Sequence, residues 1–112
     1  MKVTINLHEE FKRQFRHLNK KYRSLVDDLR LLQRDLEANP FQGTDLGGGV
    51  RKVRMTIASK GEGKSGGAHV LTLNVLVSDD AEVTLLTIYD KNEIDNVSDE
   101  YIKWLVAEAR KQ

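Results

Sequence analysis

Seven side chains between residues 52 and 91 carry groups that can act on a phosphodiester: Lys52, Arg54, Lys60, Lys64, His69, Tyr89 and Lys91. In metal-independent RNA cleavage, a base takes the proton of the ribose 2′-hydroxyl, cations stabilise the charge at phosphorus, and an acid protonates the departing 5′-oxygen. The same groups also suit a basic patch that binds nucleic acid or an acidic protein without chemistry. From composition and spacing alone, this second interpretation is favoured.

Strand periodicity sorts some of these groups into faces. Successive side chains of a strand point to opposite sides of its sheet. Lys52 and Arg54 therefore share one face of their strand, and Tyr89 and Lys91 share one face of theirs. We expect these faces to form a working surface if the two strands belong to one sheet.

The elements that must position these groups follow from the spacing of apolar residues. The predicted elements are a strand at 3–7, a helix over about 8–22, a helix capped by Ser24 and stopped by Asn39-Pro40, a glycine-rich loop at 41–49, strands at 52–57, 70–77 and 82–89, and a helix capped by Ser98. Adjacent Leu85 and Leu86 predict a strand covered on both faces. The order β-α-α-β-β-β-α predicts one α+β domain over residues 1–112, with a helical hairpin and a C-terminal helix packed on a small, mainly antiparallel sheet.

Composition limits the classes of protein and of site. The chain has 112 residues, 39% of them hydrophobic, which allows one modest core. It has no cysteine, which excludes disulfides and thiolate zinc sites. No apolar run approaches the roughly 18–20 residues that a membrane span needs, so we expect a cytoplasmic protein without a membrane partner. The net charge of +1 conceals a basic segment at 51–64, with five basic and one acidic residue, and an acidic segment at 79–100, with eight acidic and one basic.

Two patterns that can indicate a functional site lack the neighbouring residues that such a site needs. Gly61-Glu62-Gly63-Lys64-Ser65 resembles a nucleotide-binding P-loop, but Ala58 stands where the first glycine belongs, and a strand pattern follows where a helix should begin. The three histidines lack further ligands at metal-binding spacing. The sequence therefore predicts no cofactor and no metal site.

Several segments resemble the RelE/ParE toxin superfamily, on its RelE/HigB-like side. They are Asn39-Pro40 with Gly43, residues 50–54 (Val-Arg-Lys-Val-Arg), residues 58–68 with the Lys-Ser-Gly-Gly loop, and residues 85–93 with Ile-Tyr-Asp-Lys. The resemblance covers nearly the whole chain. It implies the toxin of a type II toxin–antitoxin system, a ribosome-dependent mRNA endoribonuclease that enters the ribosomal A site and is silenced by a cognate antitoxin, with which it could form a higher-order complex.

The resemblance also implies roles for individual residues. Lys52 and Arg54 would bind phosphate and stabilise charge, Tyr89 or Lys91 would transfer protons, and Arg51, Lys60 and Lys64 would hold RNA. His69 stands where these relatives usually carry arginine after Gly-Gly-Ala. Because histidine is mostly neutral near pH 7, this replacement predicts an attenuated enzyme, unless His69 has an acid–base role of its own. The alternative functions are a ParE-like inhibitor of DNA gyrase and a non-catalytic RNA-binding module.

Overall fold

The computed structural model describes residues 1–61 and 66–111. The chain forms, in order, β1 (Val3–Leu7), α1 (Glu9–Asn19), α2 (Leu25–Ala38), β2 (Thr44–Gly47), β3 (Val50–Met55), β4 (Ala68–Val77), β5 (Asp80–Asp90) and α3 (Asp99–Arg110), with a 3₁₀ turn at Ala58–Lys60. The sheet order is β1-β5-β4-β3-β2. Strand β1 is parallel to β5 and the other pairs are antiparallel, so the predicted α+β class and mainly antiparallel sheet are confirmed. Among the described residues, no helix is long and apolar enough to cross a membrane.

The sheet is covered on both faces by apolar packing. Helices α1 and α2 contribute Phe11 and Leu36 to a core that includes Leu85 on one face. On the other face, α3 contributes Leu105, which packs with Leu86. The prediction that adjacent Leu85 and Leu86 lie on a doubly covered strand is therefore confirmed. A register shift between β4 and β5 at this point leaves Leu86 as an extra, bulged residue.

Strand β2 was not expected, because residues 41–49 were predicted to form a loop. Thr44 pairs with Lys52 and Asp45 pairs with Arg51, which makes β2 a short edge strand beside β3. All four of its residues are exposed. An exposed edge strand carries no apolar alternation, so its sequence gives no period of two to detect.

One helix boundary and one capping contact also differ from the prediction. Helix α1 ends at Asn19 rather than near Tyr22, because the amide groups of Lys21 and Tyr22 both donate to the Leu18 carbonyl and turn the chain. Ser24 precedes α2 as expected, but its hydroxyl makes no capping bond to that helix and instead donates to the Asp28 carboxylate over 2.7 Å. The expected cap at Ser98 is confirmed, since its hydroxyl oxygen accepts the Tyr101 amide at 3.1 Å.

Two glycines allow close backbone approaches to β3 from the segments on either side of it. A Cβ added to Gly67 would lie 2.2 Å from the Met55 carbonyl oxygen, so only glycine lets β4 begin directly against the end of β3. Gly43 has a φ of +98°, and an added Cβ would lie 2.6 Å from the Lys52 carbonyl oxygen. Both approaches occur along β3, the strand that carries Lys52 and Arg54.

Helix α3 is held against the rest of the fold by a buried polar contact. The Tyr101 hydroxyl donates to Glu10 of α1 at 2.6 Å and lies 3.1 Å from the Thr87 hydroxyl of β5. Burial, followed by the hydrogen bond to Glu10, raises the pKa of Tyr101 to about 12. The phenol therefore stays protonated and keeps donating throughout the neutral range.

Candidate active site

Three of the predicted site residues lie side by side on three neighbouring strands. Arg54 of β3 pairs with His69 of β4, and His69 pairs with Tyr89 of β5. Directly paired residues point to the same side of a sheet, so these side chains form a continuous row, which we call the cross-strand row. Lys52 lies two residues before Arg54 and therefore on the same face. This face is the one that α3 covers only in part.

His69 occupies the centre of the row. Its ring meets the Tyr89 ring edge-on, with centroids 5.4 Å apart. The pKa of His69 is lowered from its ordinary value of 6.5, first by loss of solvent and then by the positive charges of Lys52, Arg54 and Lys91. The imidazole is therefore neutral at pH 7. Its buried Nδ1 has no hydrogen-bond partner among the described residues.

Tyr89 and Lys91 lie at the end of β5. Tyr89 is only 5% exposed, and this burial raises the pKa of its phenol, which stays protonated at neutral pH. Lys91 follows the last residue of β5 and is half-buried. Since its charge contributes to lowering the pKa of His69, it acts on the same row. The structure thus brings Lys52, Arg54, His69, Tyr89 and Lys91 together.

Arg51 does not join this group. It alternates with Lys52 along β3 and so points to the opposite face, where it donates to the Gly43 carbonyl at 3.3 Å. Its guanidinium also lies 3.9 Å from the Asp45 carboxylate. These contacts tie β2 to β3. Arg51 therefore does not share the face of Lys52, and its contact with RNA stays a prediction.

Lys60 does not face solvent, as an RNA contact would require, because its ammonium is buried. It forms an ion pair with Asp90 at 2.7 Å, and the two side chains are 4% and 1% exposed. The ammonium lies 5.1 Å from the centre of the Tyr22 ring and 3.5 Å from the Gly67 carbonyl oxygen. Lys60 therefore joins the 3₁₀ turn to the start of β4 and the end of β5, a structural role in place of the predicted RNA contact. Lys64, the third residue expected to hold RNA, lies outside the described residues.

The Asp90 carboxylate is the centre of this buried contact. Burial by itself raises the pKa of Asp90, but hydrogen bonds from Lys60, from the Tyr22 hydroxyl and from the Asn92 amide outweigh it and hold the pKa below its ordinary value. Asp90 lies between the site residues Tyr89 and Lys91. The buried pair therefore fixes the strand end that carries both.

We expect Lys60→Met to lower the free energy of unfolding by about 3–5 kcal/mol, because it leaves the Asp90 charge buried without its cationic partner. The double variant Lys60→Met/Asp90→Leu removes both charges and should recover most of that loss. Urea denaturation of the single and double variants measures both effects. Equal stability of wild type and Lys60→Met would show that water solvates Asp90 and that the pair does not hold the strand end.

Sequence reasoning missed two sets of residues near the site. One is the pair Asp90 and Tyr22, whose contact spans 68 residues of sequence and leaves no local pattern. The other is Lys103 and Arg110 of α3, which line a groove that begins at Lys52 and Tyr89. Positions seven residues apart on a helix share a face, so the sequence could have predicted that Lys103 and Arg110 lie on the same side of α3. In the described part of the chain, no group of three or more His, Cys, Asp or Glu side chains is arranged to hold a metal ion.

The fold and this face define a small α+β protein with a cationic, phenol-containing sheet surface. Residues 5–112 match the model of the family described as the RelE toxin of the RelE / RelB toxin-antitoxin system. The chain therefore belongs to the RelE toxin family: it is a toxin of a toxin–antitoxin system, and membership implies an antitoxin partner.

A solved structure supports the same fold. The chain is similar to a mutant of the E. coli toxin RelE in the free state, with a TM-score of 0.59 and 12% sequence identity. The similarity covers 96% of this chain and 97% of that one. The predicted RelE-like architecture is thereby confirmed across the length of the chain.

Proposed function

We propose that this toxin is a metal-independent endoribonuclease that cleaves mRNA in the A site of translating ribosomes in the cytoplasm. The observation that carries the proposal is the cross-strand row of Arg54, His69 and Tyr89 with Lys52 beside it. This arrangement places cations for a phosphate on β3 and a protonated phenol on β5, on the same face of the sheet and on either side of β4. Membership of the RelE toxin family supports the same conclusion.

The proposed reaction is an attack of the ribose 2′-oxygen on the adjacent phosphorus. The bond from phosphorus to the 5′-oxygen breaks, and a 2′,3′-cyclic phosphate and a free 5′-hydroxyl result. Lys52 and Arg54 contact the non-bridging oxygens, on which negative charge accumulates. Because burial keeps the Tyr89 phenol protonated, Tyr89 donates the proton to the 5′-oxygen. The Lys91 ammonium adds to the positive charge beside the phosphate, and a solvent water accepts the proton of the 2′-hydroxyl.

The antitoxin is proposed to silence this reaction by covering the same face. A partner that neutralises several adjacent cations needs acidic side chains or main-chain carbonyl groups. Such a partner would block phosphate binding directly. A partner seated elsewhere would have to act by preventing entry into the ribosome.

We expect mRNA on translating ribosomes to be cut at least about a hundredfold faster than the same RNA free in solution. The accessible part of the row lies on one side of the sheet, where Arg54 is exposed. Cleavage needs the 2′-oxygen in line with the 5′-oxygen, so an outside surface must orient the RNA. Primer extension on ribosome-bound and protein-free transcripts measures both rates. Comparable rates would show that the toxin orients RNA by itself, and absence of cleavage in both settings would favour a non-catalytic RNA-binding module.

A further inference from the structure

A groove of about 840 Å³ runs between α3 and the turn that joins β2 to β3. Its floor includes Val50, Leu71 and Tyr89, and Ile102 and Val106 form the wall on the side of α3. All five are buried or half-buried apolar or aromatic side chains. The volume lies within the range of sites that bind small molecules or single nucleotides.

The rim of the groove is cationic. Lys103 and Arg110 lie on the stripe of α3 that faces the groove, and Lys52 lies at the end nearest the cross-strand row. Asp99 contributes a carboxylate, so among the described lining residues three positive charges face one negative charge. Apolar walls with a cationic rim match a nucleotide, whose base has apolar faces and whose phosphate is anionic.

The groove continues directly from the proposed site. Lys52 and Tyr89 belong both to the site and to the lining of the groove. An RNA strand whose scissile phosphate lies on Lys52 and Arg54 therefore has its adjoining nucleotide at the groove entrance. Lys103 and Arg110 are separated by seven residues, or roughly 10 Å along the helix axis, so they can contact separate phosphates of one strand.

We infer that this groove binds the single-stranded RNA next to the cleaved bond, with a base against the apolar wall of α3 and the backbone on Lys103 and Arg110. The inference rests on the proposed function for its substrate class. A segment of a protein partner would bury the same apolar wall. It is disfavoured because the groove opens onto the phosphate-binding groups rather than onto a separate face.

The test measures binding of an uncleavable, 2′-O-methylated RNA oligonucleotide over a range of salt concentrations. Lys103→Gln/Arg110→Gln should bind more weakly and lower the slope of log K against log salt by about 1.4, or about 0.7 for each lost phosphate contact. The matched control is Lys20→Gln/Lys111→Gln, which removes two exposed cations outside the groove. This control should keep the wild-type slope.

A second variant tests the base-binding wall. Ala107 is exposed and lines the groove, so Ala107→Trp fills the space without disturbing the core. It should weaken binding about tenfold with an unchanged salt slope, because it displaces a base and no phosphate. Glu100→Trp, an exposed position on the same helix outside the groove, is its control.

The outcomes separate this inference from the proposed function. Wild-type behaviour of both groove variants would overturn the inference, even if the protein cuts mRNA. Loss of antitoxin affinity with unchanged RNA binding would also overturn it and assign the groove to a protein partner. Weaker oligonucleotide binding by the groove variants would uphold the inference even for a protein that cuts no RNA, in which case only the proposed function fails.

Discussion

His69→Arg is expected to raise the rate of mRNA cleavage by roughly a hundredfold to a thousandfold, the usual effect of one preorganised contact to a transition state, and to strengthen growth arrest accordingly. His69 lies between Arg54 and Tyr89 in the cross-strand row, where its imidazole is neutral at pH 7. A guanidinium at this position carries a permanent charge and can contact two phosphate oxygens at once. The Tyr89 ring, already beside His69, can support that guanidinium through a cation–π contact.

The control for this variant adds the same charge elsewhere. His17 is exposed on α1, so His17→Arg raises the net charge equally without touching the row. Single-turnover cleavage on ribosomes and growth arrest at equal expression should change for His69→Arg and not for His17→Arg. Equal activity of wild type and His69→Arg would show that position 69 does not contact the phosphate. A loss of activity would assign neutral His69 the role of proton acceptor.

The pH dependence of cleavage provides an independent check of the charge argument. A histidine contributes positive charge only below its pKa, and the pKa of His69 is lowered below 6.5 by burial and by Lys52, Arg54 and Lys91. Cleavage by the wild-type toxin should therefore rise as the pH falls from 8 toward 6, with most of the gain at the acidic end. The His69→Arg variant should lack this rise, because its guanidinium is charged throughout.

The spacing of apolar residues predicted the local parts of this fold well. It identified β1, both long helices of the hairpin, β3 and α3, and it placed Lys52 and Arg54 on one strand face. It missed β2, since an exposed edge strand has no buried side to mark it. Local pattern is thus informative wherever one face of an element is buried.

The candidate site depends on contacts that no local pattern contains. Arg54, His69 and Tyr89 align only because Gly67 lets β4 meet the end of β3 and because the bulge at Leu86 sets the register of β5. The family resemblance assigned Lys60 to RNA contact. Its actual partner, Asp90, lies 30 residues away and forms a buried pair with it. Residue type predicted which side chains could take part in catalysis. The pairing of strands that are distant in sequence decides which of these side chains lie next to each other.

Arg54→Gln is expected to reduce cleavage by about a hundredfold to a thousandfold, whereas Arg51→Gln should stay within a few-fold of wild type. Both variants remove one positive charge from β3, so nonspecific attraction to the ribosome falls equally. Strand alternation puts the two side chains on opposite faces, and Arg51 is already engaged by the Gly43 carbonyl. The difference in cleavage rate between the two variants therefore reports which sheet face binds the phosphate, because the change in net charge is the same in both.

The two variants are compared by single-turnover cleavage of ribosome-bound mRNA, with urea denaturation to confirm that each is folded. Glutamine keeps a hydrogen-bond donor at position 51, so the junction of β2 with β3 should survive the change. Equal losses in the two variants would mean that the protein attracts RNA through its overall charge. A larger loss for Arg51→Gln would place the site on the opposite face of the sheet, against which α1 and α2 pack.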